Sequence, residues 1–310
     1  MSAVLAPSQA STNPFDLGDE RAYHAWRARK LADRPGGVVD LVVDVADPRG
    51  PSVAERHALL DRLARFNMAV YRSPLTDADP GLPRTLGRAL GLHRLDANWL
   101  ADEDGISRIA VATHGDGAPK GEFIPYTDRA IGWHTDGYYH PAARRIRSMI
   151  LHCVRPAAQG GENRLLDPEL VYIALRDADP AHVRALMAPD AMTIPARDDE
   201  QGEARAAQAG PVFSVDPVDG QLHLRYTART RSIVWKDDAP TRAAVAALAT
   251  CLQGPDVLAL QLAPGMGIVA HNVLHDRSAF VDDPAAPRLL YRARYLDRCC
   301  RSTEPPWRTG

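Results

Sequence analysis

The stretch IGWHTDGYYH, residues 131–140, sets an imidazole and a carboxylate two positions apart among large aromatic side chains. In a strand, residues i and i+2 share a face, so His134 and Asp136 project together while Thr135 points away. An imidazole nitrogen and a carboxylate oxygen placed this way can reach one metal ion. A working site needs a third ligand, and a sheet folded on itself draws it from a distant strand. His275, in GMGIVAHNVLHDRSAF, is the best candidate, with His271 as its rival four residues earlier. Two imidazoles and a carboxylate on one face of an ion suit ferrous iron and leave three positions open, enough for a bidentate co-substrate and dioxygen. A lone His-x-Asp is a weak signal, since such a triplet is often only a hydrogen-bonded pair. Its weight here comes from conjunction with His275 and with the arginine-bearing segment that follows. His140 and His152 read as a rim residue and a core residue.

The segment RLLYRARYLD carries Arg288, Arg292 and Arg294 at even positions, so as a strand it presents all three on one face. The bland alternative is a set of solvated edge-strand charges. Three guanidiniums on one face at this place argue that at least one meets an anionic ligand. On the substrate side, Tyr138 and Tyr139 follow the metal motif directly, and Arg225, Arg229 and Arg231 in LRYTARTRS are candidates for an anionic group.

The elements that must hold these residues are legible too. Residues 1–18, rich in Ala, Ser, Pro and Asn, read as a flexible tail. DERAYHAWRARKLADRP predicts a helix stopped by Pro35 and a glycine pair, and GGVVDLVVDV a strand. SVAERHALLDRLARFN predicts a helix capped by Ser52, and MAVYRS a short strand. Short strand candidates then recur between Gly and Pro punctuation: RIAVAT, IGWHTD, RSMILHCV, GPVFSVD, QLHLRYT, DVLALQL, GIVAHN and RLLYRARYL. Two helical inserts interrupt them, PELVYIALRDADPAHVRALM with a break at Pro180, and APTRAAVAALATCLQ. Many short strands without regular βαβ alternation favour a mainly β barrel or jelly roll with flanking helices, as one domain over residues 19–310.

Composition narrows the function classes. The 310 residues are 45% hydrophobic and 25% charged, an ordinary globular balance. A formal net charge of −2 supplies no basic excess for a phosphate backbone, so nucleic acid is not the expected partner. No apolar run is long enough for a membrane span, and the amino end has no basic start or apolar h-region. The four cysteines show no CxxC pairing; the adjacent Cys299 and Cys300 read as reduced thiols. The expectation is a cytoplasmic protein acting on a small molecule, with a homo-oligomer left open.

Taken together these motifs resemble the taurine dioxygenase (TauD/TfdA) family of Fe(II)- and 2-oxoglutarate-dependent enzymes. WHTD at 133–136 is similar to the family segment that supplies the first two ligands. RPAAQGGENRLLDPELVY places Asn163 where a small polar residue neighbours the co-substrate. HNVLHDRSAF and RLLYR match the closing motif, an Asn-containing run ending in the second histidine and then two arginines, here Asn272, His275, Arg288 and Arg292. The resemblance covers roughly residues 65–297. It departs at Ala270 and His271, where the family has a different run, and in carrying Asn rather than Thr at 163.

The resemblance implies a double-stranded β-helix, Fe(II) on His134, Asp136 and His275, and 2-oxoglutarate and O2 as co-substrates, with succinate and CO2 released. The far carboxylate of 2-oxoglutarate would meet a planar guanidinium; Arg292 is the first choice, Arg288 the second, and Arg294 shares their face. Asp136 is retained, which implies oxygenation rather than halogenation. Two readings from other classes stand beside this one. A zinc hydrolase would use similar ligand types, although the denser HxHxD or HExxH sets are missing. A non-catalytic 2-oxoglutarate sensor would share the fold.

Overall fold

The computed structural model describes residues 13–96, 104–111, 123–196, 206–217, 219–229 and 233–300. Two sheets carry the site. The larger has six strands in the order β1 (Val42–Asp44), β2 (Met68–Arg72), β14 (Met266–Ala270), β5 (Ser148–Arg155), β17 (Leu289–Tyr295) and β3 (Ser107–Ile109). Only its β1–β2 pair is parallel. The smaller has four antiparallel strands in the order β13 (Leu258–Leu260), β7 (Asn163–Leu166), β15 (Leu274–Arg277) and β4 (Ile131–His134). Crossovers between strands distant in sequence make the two sheets a jelly roll, the architecture expected from the short-strand pattern. Three satellites complete the β structure: β10 (Phe213–Val215) with β11 (Leu222–Leu224), β12 (Val234–Trp235) with β8 (Met192–Ile194) and β9 (Gln208–Gly210), and β16 (Phe280–Val281) with β6 (Gln159–Gly160).

Strand alternation divides the apolar side chains among cores. Met149, Leu151, Ile268 and Leu290 of the larger sheet meet Leu165, Leu258 and Leu260 of the smaller, which fills the interior of the roll. Ile150, Val269, Tyr291, Ala293 and Tyr295 face outward from the larger sheet and are covered by helices α2 (Val53–Phe66) and α3 (Leu82–Ala89). A third cluster joins α4 (Pro168–Ala178), α5 (Pro180–Leu186) and α6 (Ala239–Cys251) to the β10–β11 hairpin.

Local chemistry accounts for most element ends. Ser52 and Glu55 form a reciprocal capping box at the start of α2, and Asn67 closes it in the left-handed region at φ 59°. Pro180 separates α4 from α5, and the Asp179 side chain accepts from Ala181 N–H at the second start. The helix predicted around residues 19–35 is α1 (Glu20–Ala32).

Some expectations shift. The strand predicted over 36–45 begins as a 3-10 turn at Val38–Leu41 and becomes extended only at Val42. Helix α3 has no counterpart in the sequence reading because Pro83 and Gly87 punctuate it like a loop. Gly87 is needed for packing, since a Cβ there would lie 2.3 Å from the Tyr295 hydroxyl. Residues 1–12 of the expected tail lie outside the described residues, and so does Arg231. Residues 13–18 pack instead: Phe15 is buried with its ring edge-on to Trp26 and Tyr172.

Candidate metal and co-substrate site

His134 closes β4, and its direct cross-strand partner on β15 is His275. Paired residues of an antiparallel ladder point to the same face, and the two rings stand 4.2 Å apart between centroids. Each ring has its Nδ1 at a backbone carbonyl two residues earlier, His134 at Gly132 O (2.9 Å) and His275 at Val273 O (3.1 Å). A carbonyl only accepts, so each Nδ1 carries the proton and each Nε2 keeps a lone pair for a metal. Burial, then the neighbouring His275, pushes the His134 imidazolium down to about 3, so His134 is neutral at physiological pH.

Asp136 reaches the same point by a route the strand rule does not describe. The strand ends at His134; Thr135 leaves it, donating its N–H to Tyr226 O (3.0 Å) and accepting from Tyr226 N–H on Oγ1 (3.2 Å). Asp136 then opens a turn in which Gly137 adopts φ +67° and a Cβ would strike Ile146 at 2.4 Å. A glycine after Asp136 is therefore what turns the carboxylate back onto the imidazoles. One ligand atom from each of His134, Asp136 and His275 lies within 4.8 Å of the others. Oδ1 of Asp136 faces Arg292 at 3.5 Å and Arg294 at 3.7 Å, whereas Oδ2 is buried with no hydrogen-bond partner. Burial opposes ionisation of Asp136, but the two guanidiniums and the two imidazoles outweigh it and hold the carboxyl below its ordinary range. Two bare Nε2 atoms and one orphaned carboxylate oxygen fit a divalent ion.

A small cavity opens on the interior face of the roll. It is lined by Asn163, Gly161, Cys153, Leu290 and Arg288 among others. Asn163 and Leu165 share a face of β7, and Leu165 pairs with His275. Asn163 therefore lies about 7 Å along β7 from the position paired with His275, with the inter-strand spacing to be added. Arg288 is buried; its guanidinium lies over the Phe280 ring (5.0 Å to the centroid), and no hydrogen-bond acceptor meets that guanidinium among the described residues.

A family model described as "Taurine catabolism dioxygenase TauD, TfdA family" matches residues 34–294. The chain belongs to this family. Among curated proteins, a uridine-5'-phosphate dioxygenase of Amycolatopsis sp is 35% identical over 53% of this chain and 60% of that protein. Another of Streptomyces sp is 32% identical over 56% of this chain and 64% of that protein. The chain thus spans less than two thirds of the length of the curated relatives it matches. A solved structure of asparagine oxygenase with Fe(II), 2S,3S-3-hydroxyasparagine and succinate superposes with TM-score 0.57 at 15% identity, covering 93% of this chain and 87% of that one.

Within the TauD/TfdA frame, the remaining sequence candidates separate. Leu290, Arg292 and Arg294 of β17 face inward as expected, but the arginines divide: Arg292 and Arg294 sit against Asp136, and Arg288, one residue before the strand, lines the cavity with Asn163. Tyr139 accepts from Arg294 at 3.0 Å, and Tyr138 packs edge-on against it. Arg225 does not match its expected role as an anion receptor. Its guanidinium donates to three backbone carbonyls, Tyr138 O, Met192 O and Gln208 O, at 2.7–2.9 Å, which makes it a latch between segments. Arg229 is exposed, with only its backbone N–H engaged, on Thr227 Oγ1. Thr227 bridges His134 in antiparallel register, and Arg229 follows two residues later, outside any strand.

The rival ligand His271 lies elsewhere, buried between the Cys299 N–H and Arg298. His152 is a core residue, stacked between Tyr71 and Tyr291. His140 reaches Asp96 at 3.4 Å. Asp96 itself escaped the sequence reading: it is buried, joins no motif, and its partners Arg294, Arg144 and His140 are remote in sequence. No disulfide joins the described cysteines, and no helix among the described residues is long and apolar enough to cross a membrane.

Proposed function

We propose that the chain is an Fe(II)- and 2-oxoglutarate-dependent dioxygenase, with residues 19–310 as its single oxygenase unit. The observation that carries this is the meeting of His134, Asp136 and His275 with a bare nitrogen on each ring and a bare carboxylate oxygen. His134 Nε2, Asp136 Oδ2 and His275 Nε2 would hold the iron. Bound there, the iron supplies the redox chemistry that couples decarboxylation of 2-oxoglutarate to succinate with oxygen insertion into a substrate.

The protein's own contribution is placement. The carbonyls of Gly132 and Val273 fix both imidazole tautomers. Arg288, buried and without an acceptor for its guanidinium among the described residues, is the residue for the far carboxylate of 2-oxoglutarate, with Asn163 lining the same cavity. This reverses the order of preference suggested by sequence. Arg292 already faces a carboxylate at Asp136, and a guanidinium so engaged is the poorer receptor for a second one.

The substrate is a small molecule carrying an anionic group. The similarity to two uridine-5'-phosphate dioxygenases supports this, as does an exposed arginine, Arg229, two residues beyond the bridge partner of His134. Nucleoside monophosphates are the first compounds to test.

The test is an anaerobic titration with Fe(II) and 2-oxoglutarate, followed by oxygen. The expected result is a weak visible charge-transfer band, then succinate formation that needs both additions and is lost in His134→Ala. Zinc retained through turnover with no response to 2-oxoglutarate would establish a hydrolase instead. A band with no oxygen uptake across a metabolite panel would establish a sensor.

A further inference from the structure

We infer that Arg294 is the positioning residue of the metal-binding carboxylate, and that Asp96 is the buried counter-charge that keeps it in that role. The inference rests on the reading of Asp136 as a metal ligand. Arg294 sits one strand repeat beyond Arg292 on the inward face of β17, and its side chain is 5% exposed. One terminal nitrogen, Nη1, lies 3.0 Å from the Tyr139 hydroxyl and 3.7 Å from Asp136 Oδ1. The other, Nη2, donates to Asp96 Oδ2 at 2.6 Å. The backbone ties the same pair together, since Asp96 N–H donates to Arg294 O at 2.8 Å. Asp96 is fixed from its other side by Arg144, which donates to Oδ1 at 2.8 Å, and by His140.

Three consequences follow from charge and geometry. Arg294 and Arg292 both address Oδ1, so the oxygen left bare is Oδ2, and the carboxylate is oriented for single-oxygen ligation before metal arrives. A guanidinium this deep cannot stay charged without a nearby anion. Asp96 is that anion, and its presence leaves the charge on Asp136 for the metal instead of for Arg294. Arg292, 12% exposed, has no such second anchor for its guanidinium among the described residues, so the rigid partner is Arg294. Outer partners that orient metal ligands typically change affinity by about 10–100-fold when lost.

Co(II), a spectroscopic stand-in for Fe(II), tests this without turnover. Binding and visible spectra are measured for the full-length protein, for Asp136→Ala as control, and for Arg294→Met, Arg294→Lys and Asp96→Asn. The expected result is Co(II) binding weakened roughly 10–100-fold in Arg294→Met with altered ligand-field bands. Asp96→Asn should weaken binding less, because the uncompensated guanidinium then competes with the metal for Asp136. Arg294→Lys should recover part of the affinity. Wild-type affinity and spectrum in Arg294→Met, while Asp136→Ala has lost binding, would overturn the inference. Undiminished binding in Asp136→Ala would instead overturn the metal-site reading beneath it. If Arg294→Met loses its cooperative melt, Arg294→Lys and Asp96→Asn decide by the same two measures.

Discussion

β17 and the residue just before it present the same residue type to different surroundings at the two ends of the strand. At the carboxyl-terminal end, Arg292 and Arg294 meet Asp136 and Asp96, carboxylates the fold itself provides. At the amino-terminal end, Arg288 is as deeply buried but meets an aromatic ring and a cavity. At Arg288 burial outweighs the support of Cys153 and Asp282 and works against the charge, whereas at Arg294 the neighbouring anions and Tyr139 outweigh burial and favour it. A guanidinium whose acceptors belong to the chain is part of the architecture. One whose acceptor is missing is built for a ligand.

The largest effect tests the point both ends serve. Asp136→Ala or His275→Ala should reduce succinate formation to background and abolish Fe(II)-dependent charge transfer, measured by coupled assay and absorbance. Next is the division between the ends. Arg288→Met should leave a bound carboxylate unpaired, a loss of about 2–5 kcal/mol, and so raise the 2-oxoglutarate KM roughly 30-fold or more with metal affinity kept. If Arg292→Met showed that pattern and Arg288→Met did not, the contrast would be inverted.

A third test asks whether a committed guanidinium is structural. Arg225→Ala should lower stability by roughly 2–3 kcal/mol in urea unfolding, as buried carbonyls lose charged donors, with the 2-oxoglutarate KM unchanged. The smallest effect concerns a buried imidazole in the packed sheet. Burial holds His152 down to about 4, against about 6.5 in an unfolded chain. Between those values the unfolded chain takes up a proton that the folded one refuses, so stability falls as pH drops from about 6.5 towards 4. His152→Phe should flatten that part of the stability curve in pH-dependent thermal melts.

Much of this was legible along the chain. Ser52 with Glu55 announced α2, Pro180 the break between α4 and α5, and the short punctuated strands the jelly roll. His134, Asp136 and His275 were legible because their types and long separation suit one ion on a folded sheet. Strand alternation does not describe how Asp136 comes to His134: the Asp-Gly turn at 136–137 brings it round. Helix α3 was hidden because a glycine that makes room for Tyr295 looks, in sequence, like a glycine in a loop.

By itself the sequence determined which chemical groups the protein possesses, where its helices start and stop, and which face of each strand is apolar, since these depend on neighbours a few residues away. It could not assign work to its arginines. What a guanidinium does depends on the groups within a few ångströms of it, and the deciding ones come from parts of the chain scores of residues distant: Asp96 and Asp136 beside Arg294, Asn163 in the cavity that Arg288 lines. Only the closing of the two sheets on each other decided which arginine the fold had already satisfied and which it had left for a ligand.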